Sequence, residues 1–222
     1  MIPAVRSFVG SNDWHQDKLQ RARDWLITIP VNVPALYCAR TEIVRIDGQA
    51  DGLSPLFSQP PTFRNALVQN IAGGNTMVFN RASKRLLESA GRIRVISHDW
   101  WTYQLISGAG GAIRYDPKPV IKYRQHGENL VGSNATWLAR IARVRMMLWG
   151  RFREWNTLNI AALRSLPTHL IRPENRAVVE QFARARSSSL LKRLYFLWAS
   201  GVYRQTFLGN LGLVAATILK RI

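Results

Sequence analysis

The sequence predicts an α/β protein followed by a basic helical region, and three observations carry this prediction. Short apolar runs typical of strands alternate with helical spacings up to about residue 124. From about residue 134 the spacing of apolar residues is helical. Residues 1–117 carry a formal charge of +4, whereas residues 118–222 carry +14. We therefore predict an α/β unit over 1–133 and a basic amphipathic helical tail over 134–222.

The elements of the α/β unit follow from spacing and from turn residues. Trp14, Leu19, Ala22 and Leu26 recur at helical intervals, and Pro30 closes this stretch. The other predictions up to residue 91, in chain order, are a strand or hairpin over 35–48 closed by Asp47-Gly48, a Pro/Gly/Ser loop over 51–62, a short helix over 64–70, a short buried strand over 75–80, and a helix over 81–91 stopped by Gly91.

A further helix begins near residue 97 in "SHDWWTYQLISGAGG", and residues 112–127 resemble a strand pair interrupted by prolines. Residues 135–155 are then predicted to form an amphipathic helix with Trp137, Phe152 and Trp155 on its apolar stripe. In the C-terminal segment, residues 190–222, the longest uncharged run is 205–219. A membrane-spanning helix needs roughly 20 apolar residues, so this run is too short, and docking at a membrane interface is favoured over a core helix.

The composition limits the compartment and the partners. A hydrophobic content of 47% and eight tryptophans predict a folded chain. The single cysteine, Cys38, excludes an internal disulfide and fits a reducing cytoplasm. The basic second half indicates an anionic partner, either phospholipid or nucleic acid, unless it is only a solvated surface. The basic helix over 135–155 either lies on an anionic membrane or packs on its own domain.

Asp99 is the best candidate for a general base. Trp100 and Trp101 beside it would partly desolvate the carboxylate and make it more basic. The structural alternative is that Ser97 or Asp99 caps the helix, with Trp101 and Leu105 packed in the core. Both interpretations stay open on the residues alone, and the structural one is favoured.

Two other clusters offer weaker chemistry. In "KYRQHGENLVG", residues 122–132, Arg124 can grip a phosphate or carboxylate, and His126 can ligate a metal or carry a proton. In "SNDWHQDKL", residues 11–19, Asp13 can hold a divalent cation against a diphosphate, although an acidic residue before a helix is also a common cap. The spacing of Cys and His does not predict a zinc site.

These clusters together resemble a known family. "SNDWHQDKLQRA", "QNIAGGNTMVFNR" and "SHDWWTYQLISGAGGAIRYDPKPVIKYRQHGENLVG" are similar, in this order, to the C-terminal half of family 2 glycosyltransferases, especially bacterial rhamnosyltransferase-like members. The tail "GVYRQTFLGNLGLVAATILKR" also resembles the family's closing helix. The resemblance implies a GT-A type, Rossmann-like domain without its first, nucleotide-binding strands.

The resemblance also implies roles for individual residues. Asp99 matches the base that deprotonates the acceptor for an inverting transfer, with His98, Trp100 and Trp101 in the acceptor pocket. Asp13 lies nearest to the family's D-x-D metal site, which would hold Mg²⁺ or Mn²⁺. Arg124 and His126 are expected near the diphosphate leaving group. Arg124 would bind the substrate, and His126 would also ligate the metal.

The implied activity is transfer of a sugar, with rhamnose as one candidate, from a nucleotide-sugar to a glycan acceptor in bacterial surface polysaccharide synthesis. The expected location is the cytoplasm, at the inner face of the plasma membrane. Two departures keep alternatives open: "SND" retains only Asp13 of the paired carboxylates, and the family's N-terminal part has no counterpart here. The first alternative is an inactive remnant, and the second is a module whose partner chain supplies the nucleotide-binding half. The third is a basic protein that binds membrane or nucleic acid, and nucleic acid is less favoured because no motif supports it.

Overall fold

The computed structural model of the chain describes residues 12–45, 48–124 and 151–222. Within these ranges a mixed sheet is combined with helices, which confirms the α/β class. The strands are β1 (Asn12–Trp14), β2 (Ala35–Val44), β3 (Ala50–Leu53), β4 (Val78–Phe79) and β5 (Ala112–Arg124). The helices are α1 (Lys18–Leu26), α2 (Phe63–Ala66), α3 (Arg81–Ala90), α4 (His98–Gly108), α5 (Arg151–Ser165), a 3-10 turn (Thr168–Leu170), α6 (Pro173–Ser187), α7 (Leu190–Ser200) and α8 (Phe207–Ile218).

Strands β2 and β5 form the centre of the sheet. The strand order is β1-β5-β2-β3, and β4 pairs with the beginning of β2. The β2–β5 pair is parallel, whereas β1, β3 and β4 each pair antiparallel with a neighbour. The first five residues of β2 are all buried, as expected of a strand covered on both faces.

Residues 112–124 form one strand, so the predicted strand pair is wrong within the described residues. The prediction rested on Pro117 and Pro119. The structure accommodates both at a shift in register, because Ala39 of β2 is opposite Asp116 and the next residue, Arg40, is opposite Pro119. A proline at such a bulge removes no ladder hydrogen bond, and the strand therefore continues through it.

The first helix is shorter than predicted because its early residues join the sheet. Residues Asn12–Trp14 pair with β5, and α1 begins only at Lys18. Contacts with a distant strand thus override the helical spacing that includes Trp14. Two other elements are also shorter than predicted, namely the helix Phe63–Ala66 and the strand Val78–Phe79.

Local signals predicted the remaining elements well. Helix α3 ends at Ala90, and Gly91 follows it with a φ of 71°, a conformation that favours glycine. Strand β2 lies within the strand or hairpin predicted over 35–48, but its hairpin partner β3 lies beyond that range and takes up the start of the predicted loop over 51–62. Gly48 in the turn has a φ of 84°, and Asp47 lies outside the described residues.

The larger hydrophobic core combines residues from both sides of the predicted boundary at residue 133. Helices α2 and α4 contribute Phe63 and Leu105, and the C-terminal helices contribute Phe152, Leu163 and Phe182. On the predicted amphipathic helix, the described end therefore packs on its own domain, because Phe152 is buried. Trp137, at the other end of the stripe, lies outside the described residues.

The described helices include none that combines the length and apolar composition needed to cross a lipid bilayer.

Candidate active site

Asp99 lies in the first turn of α4, where the positive end of the helix dipole favours a carboxylate. It is half-buried. Its Oδ1 accepts a hydrogen bond from the backbone N–H of Trp100 at 2.7 Å. Its Oδ2 accepts one from the backbone N–H of Gly74 at 3.3 Å. Ser97 stands at the N-cap position, but its side chain makes no capping hydrogen bond.

Gly74 lies in a short turn, residues 73–76, that we call the GGNT loop. The Thr76 hydroxyl donates to the carbonyl of Gly73 at 2.8 Å and closes the turn. His98 lies against Gly74, since a Cβ added to Gly74 would be 2.7 Å from His98 Nε2 and 3.4 Å from Asp99 Cβ. A side chain at position 74 would therefore displace the imidazole beside Asp99.

Lys18 reaches the GGNT loop from the other side. The residue is only 2% exposed, which is unusual for lysine. Its Nζ donates to the carbonyl of Asn75 at 2.7 Å and lies 3.7 Å from the centre of the Trp14 ring. Burial lowers the pKa of the Lys18 ammonium from 10.5 to about 8. Lys18 is thus a buried group that titrates closer to neutral pH than an exposed lysine.

The GGNT loop brings together three segments that are distant in the sequence. Lys18 belongs to the first motif of the resemblance, Gly74 and Asn75 belong to the second, and Asp99 belongs to the third. A basic group and an acidic group therefore bind successive residues of one turn, each through the backbone. This convergence is the main geometric feature of the candidate site.

The two tryptophans beside Asp99 are mostly buried. Trp100 is 6% exposed, its indole N–H donates to the carbonyl of Ala66 at 2.7 Å, and its ring meets that of Trp155 edge-on at 6.0 Å. Trp101 is 8% exposed and belongs to the same core cluster as Leu105. The structural interpretation of Trp101 and Leu105 is thereby confirmed. The role of the two indoles in an acceptor pocket stays a prediction, and in this structure little of either ring is open to a ligand.

Asp13 is not brought to Asp99. It is exposed on β1, directly opposite Lys122 of β5. Successive residues of a strand project from opposite faces, so Asp13 leaves β1 on the face opposite Trp14 and hence away from Lys18. Arg124, at the end of β5, has a buried Nε–H without a hydrogen-bond partner among the described residues. His126 lies outside those residues.

The described residues contain no group of three or more His, Cys, Asp or Glu side chains arranged to hold a metal ion. Asp13 has Lys122 as its cross-strand neighbour. The Mg²⁺ or Mn²⁺ site predicted at Asp13 and His126 stays a prediction, since His126 lies outside the described residues.

A second polar network anchors α1 to the sheet. The Tyr37 hydroxyl donates to Asp116 Oδ2 at 2.6 Å, and an Arg21 guanidinium nitrogen lies 2.6 Å from the same oxygen. Burial by itself raises the pKa of Asp116, but the hydrogen bonds from Tyr37, from the Lys118 backbone and from Arg21 bring it below its ordinary value. Burial and the bond to Asp116 raise the pKa of Tyr37. This network holds in place the helix that carries Lys18.

Sequence reasoning missed three residues of the site, namely Lys18, Gly74 and Asn75. Lys18 stands on the helix face that also holds the buried Ala22, four residues later, and this spacing was the available signal. Asn75 contributes its backbone carbonyl, which every residue type has, so the sequence gives no signal for this contact.

Comparison with protein families, with curated proteins and with solved structures gave no match for this chain.

Proposed function

We propose that the chain belongs to the glycosyltransferase lineage that its motifs resemble, and that Asp99 is the general base of a sugar transfer. The observation that supports this is the convergence of all three motifs at the GGNT loop through Lys18 and Asp99. Motifs that are distant in the sequence but share a contact are expected of one functional site. The mixed α/β sheet is compatible with a GT-A type domain.

In the proposed reaction, Asp99 accepts the proton of an acceptor hydroxyl as its oxygen attacks the anomeric carbon of a nucleotide-sugar. The bond from that carbon to the diphosphate breaks, the nucleoside diphosphate leaves, and the configuration at the carbon inverts. The backbone N–H of Gly74 and the helix N-terminus fix the direction of the carboxylate. No step is assigned to a metal.

The test measures transfer of labelled sugar from nucleotide-sugars to a lipid-linked glycan fraction. Replacing Asp99 with Asn removes the base but keeps an acceptor oxygen, and we expect turnover to fall by roughly 10²–10⁴-fold. The matched control is Asp24→Asn, since Asp24 is an exposed carboxylate on α1. Thermal unfolding of Asp24→Asn should follow that of the wild type. Asp99→Asn loses one of the two N–H bonds that the carboxylate accepts, so it should unfold at a slightly lower temperature but remain folded in the assay.

Equal turnover in Asp99→Asn and in the wild type would remove the assignment of the base. If the wild type has no activity, calorimetry with each nucleotide-sugar tests whether the chain binds a donor at all. Donor binding only after a second chain is added would favour the partner-dependent module, and no binding under either condition would refute the proposal.

A further inference from the structure

The last two helices expose a large amount of apolar surface. On α7, Leu191 and Trp198 are 81% and 78% exposed, and with Tyr195 they recur at intervals of four and three residues. On α8, Phe207 is 76% exposed and begins a stripe that continues through exposed residues at positions 211, 214 and 218. Such spacing places each set on one face of its helix. We call the two stripes together the C-terminal apolar face.

Both stripes point away from the protein core. The opposite sides of α7 and α8 contribute Leu197, Leu213 and Ala216 to the larger core cluster. The exposed sides are therefore the ones that this core does not use. Large apolar side chains exposed at this spacing on a folded domain indicate a site of interaction.

Arg193 joins the two helices into an antiparallel hairpin. It is 2% exposed and stands near the beginning of α7. One guanidinium nitrogen donates to the carbonyls of Thr217 and Ile218, at 3.0 and 3.1 Å, and another donates to Ser188 at 2.8 Å. The beginning of α7 therefore lies beside the end of α8, so Leu191 and Ile218, the ends of the two stripes, stand at the same end of the hairpin.

Exposed cations stand at this same end of the hairpin. Lys192 follows Leu191, and Lys220 and Arg221 follow the last exposed apolar residues of α8. The sequence contains no acidic residue after Glu180, so no acidic side chain in the hairpin neutralises them. An apolar face bordered by lysine and arginine matches the boundary between acyl chains and anionic head groups.

We propose that the C-terminal apolar face docks on an anionic lipid bilayer, with α7 and α8 lying in the membrane interface. The apolar side chains enter the acyl boundary, and Lys192, Lys220 and Arg221 contact lipid phosphates. A second copy of the chain fits this face less well, because it would bring another set of cations without acidic partners. The proposal is independent of the sugar-transfer function, since none of its residues belongs to the candidate active site.

The test is co-sedimentation of the full chain with vesicles of phosphatidylcholine, alone or with roughly one-third phosphatidylglycerol. We expect binding to the mixed vesicles that weakens strongly at about 0.5 M salt, because the head-group contacts are screened. Replacing the three cations with Gln should weaken binding by roughly fivefold for each charge removed. The control replaces the exposed Arg85, Arg92 and Arg94 with Gln and should bind like the wild type.

A second pair of variants tests the apolar contribution. Leu191→Asp should weaken binding by roughly tenfold or more, because it puts a charge where an apolar side chain enters the bilayer. Val31→Asp is the matched control, since Val31 is 88% exposed but far from the hairpin in the sequence, and it should bind like the wild type. A nitroxide attached at Trp198→Cys should report burial in the acyl region of the mixed vesicles.

Equal binding to both vesicle types, or no binding to either, would overturn the proposal. The proposal would also be overturned if the chain does not bind vesicles but forms a concentration-dependent dimer. Sedimentation velocity without lipid would detect that dimer, and Leu191→Asp would dissociate it. A nitroxide at position 198 that stays in water in the presence of the mixed vesicles would also overturn the proposal. This measurement does not depend on whether Leu191→Asp or the triple Gln variant folds.

Discussion

Replacing Lys18 with Met should change how the stability of the protein depends on pH. In the folded state Lys18 is buried and its pKa is about 8, against 10.5 for a solvated lysine. Between these two values the unfolded chain binds more protons at this position than the folded chain does. The free energy of unfolding therefore rises as pH increases from about 8 to 10.5. The methionine keeps the apolar stem of the side chain but has no proton to lose.

The size of the effect follows from the two pKa values. Their difference of 2.5 corresponds to about 3 kcal/mol, because each pKa unit is worth about 1.4 kcal/mol. We therefore expect the wild type to gain about 3 kcal/mol relative to Lys18→Met across this pH range.

Urea denaturation at several pH values measures the difference between the two proteins. Other groups that titrate in this range are common to both proteins and cancel in the subtraction. Lys84→Met is the control, since Lys84 is exposed and makes only a surface ion pair with Glu88 at 3.6 Å. Parallel stability profiles for the wild type and Lys18→Met would refute the assignment of Lys18 as a buried group with a lowered pKa.

Three further predictions concern stability and reactivity. Asp116→Asn should cost about 2–3 kcal/mol in urea denaturation near neutral pH, because it removes the charge that pairs with Arg21. This cost in the free energy of unfolding should shrink as pH falls through the lowered pKa of Asp116. The control is Glu180→Gln at the exposed ion pair with Arg164, which should cost less than about 1 kcal/mol. Gly111→Ala should cost about 3 kcal/mol by the same assay, since its Cβ would lie 2.6 Å from a backbone oxygen. Burial raises the pKa of Cys38 to about 12, so a thiol reagent at about pH 8 should label it only after unfolding.

The elements that the sequence predicted best are those with local signals. The glycine after α3 and the glycine in the β2–β3 turn each adopt a positive φ, and both mark boundaries within a few residues. The buried indole of Trp101 followed from its spacing to Leu105. These signals act through nearest neighbours along the chain and need no knowledge of the fold.

The contacts that the sequence could not predict join distant segments. Lys18 and Asn75 are 57 residues apart, and Gly74 and Asp99 are 25 apart. A lysine is usually solvated, so its burial depends on where the sheet places α1. Strand β1 is only three residues long and forms because β5 pairs with it, a distant contact that the helical spacing of Trp14 does not reveal.

Because the GGNT loop is held through its backbone, its residues should differ greatly in their tolerance of substitution. Lys18 binds a carbonyl and Asp99 binds an N–H, and every residue type except proline supplies both groups. Asn75 can therefore vary with little effect on either contact. A side chain at position 74 must displace the imidazole of the exposed His98, which lies where its Cβ would be. A saturation library across residues 73–76 should therefore recover more variants at position 75 than at position 74, although asparagine is the polar residue of the two.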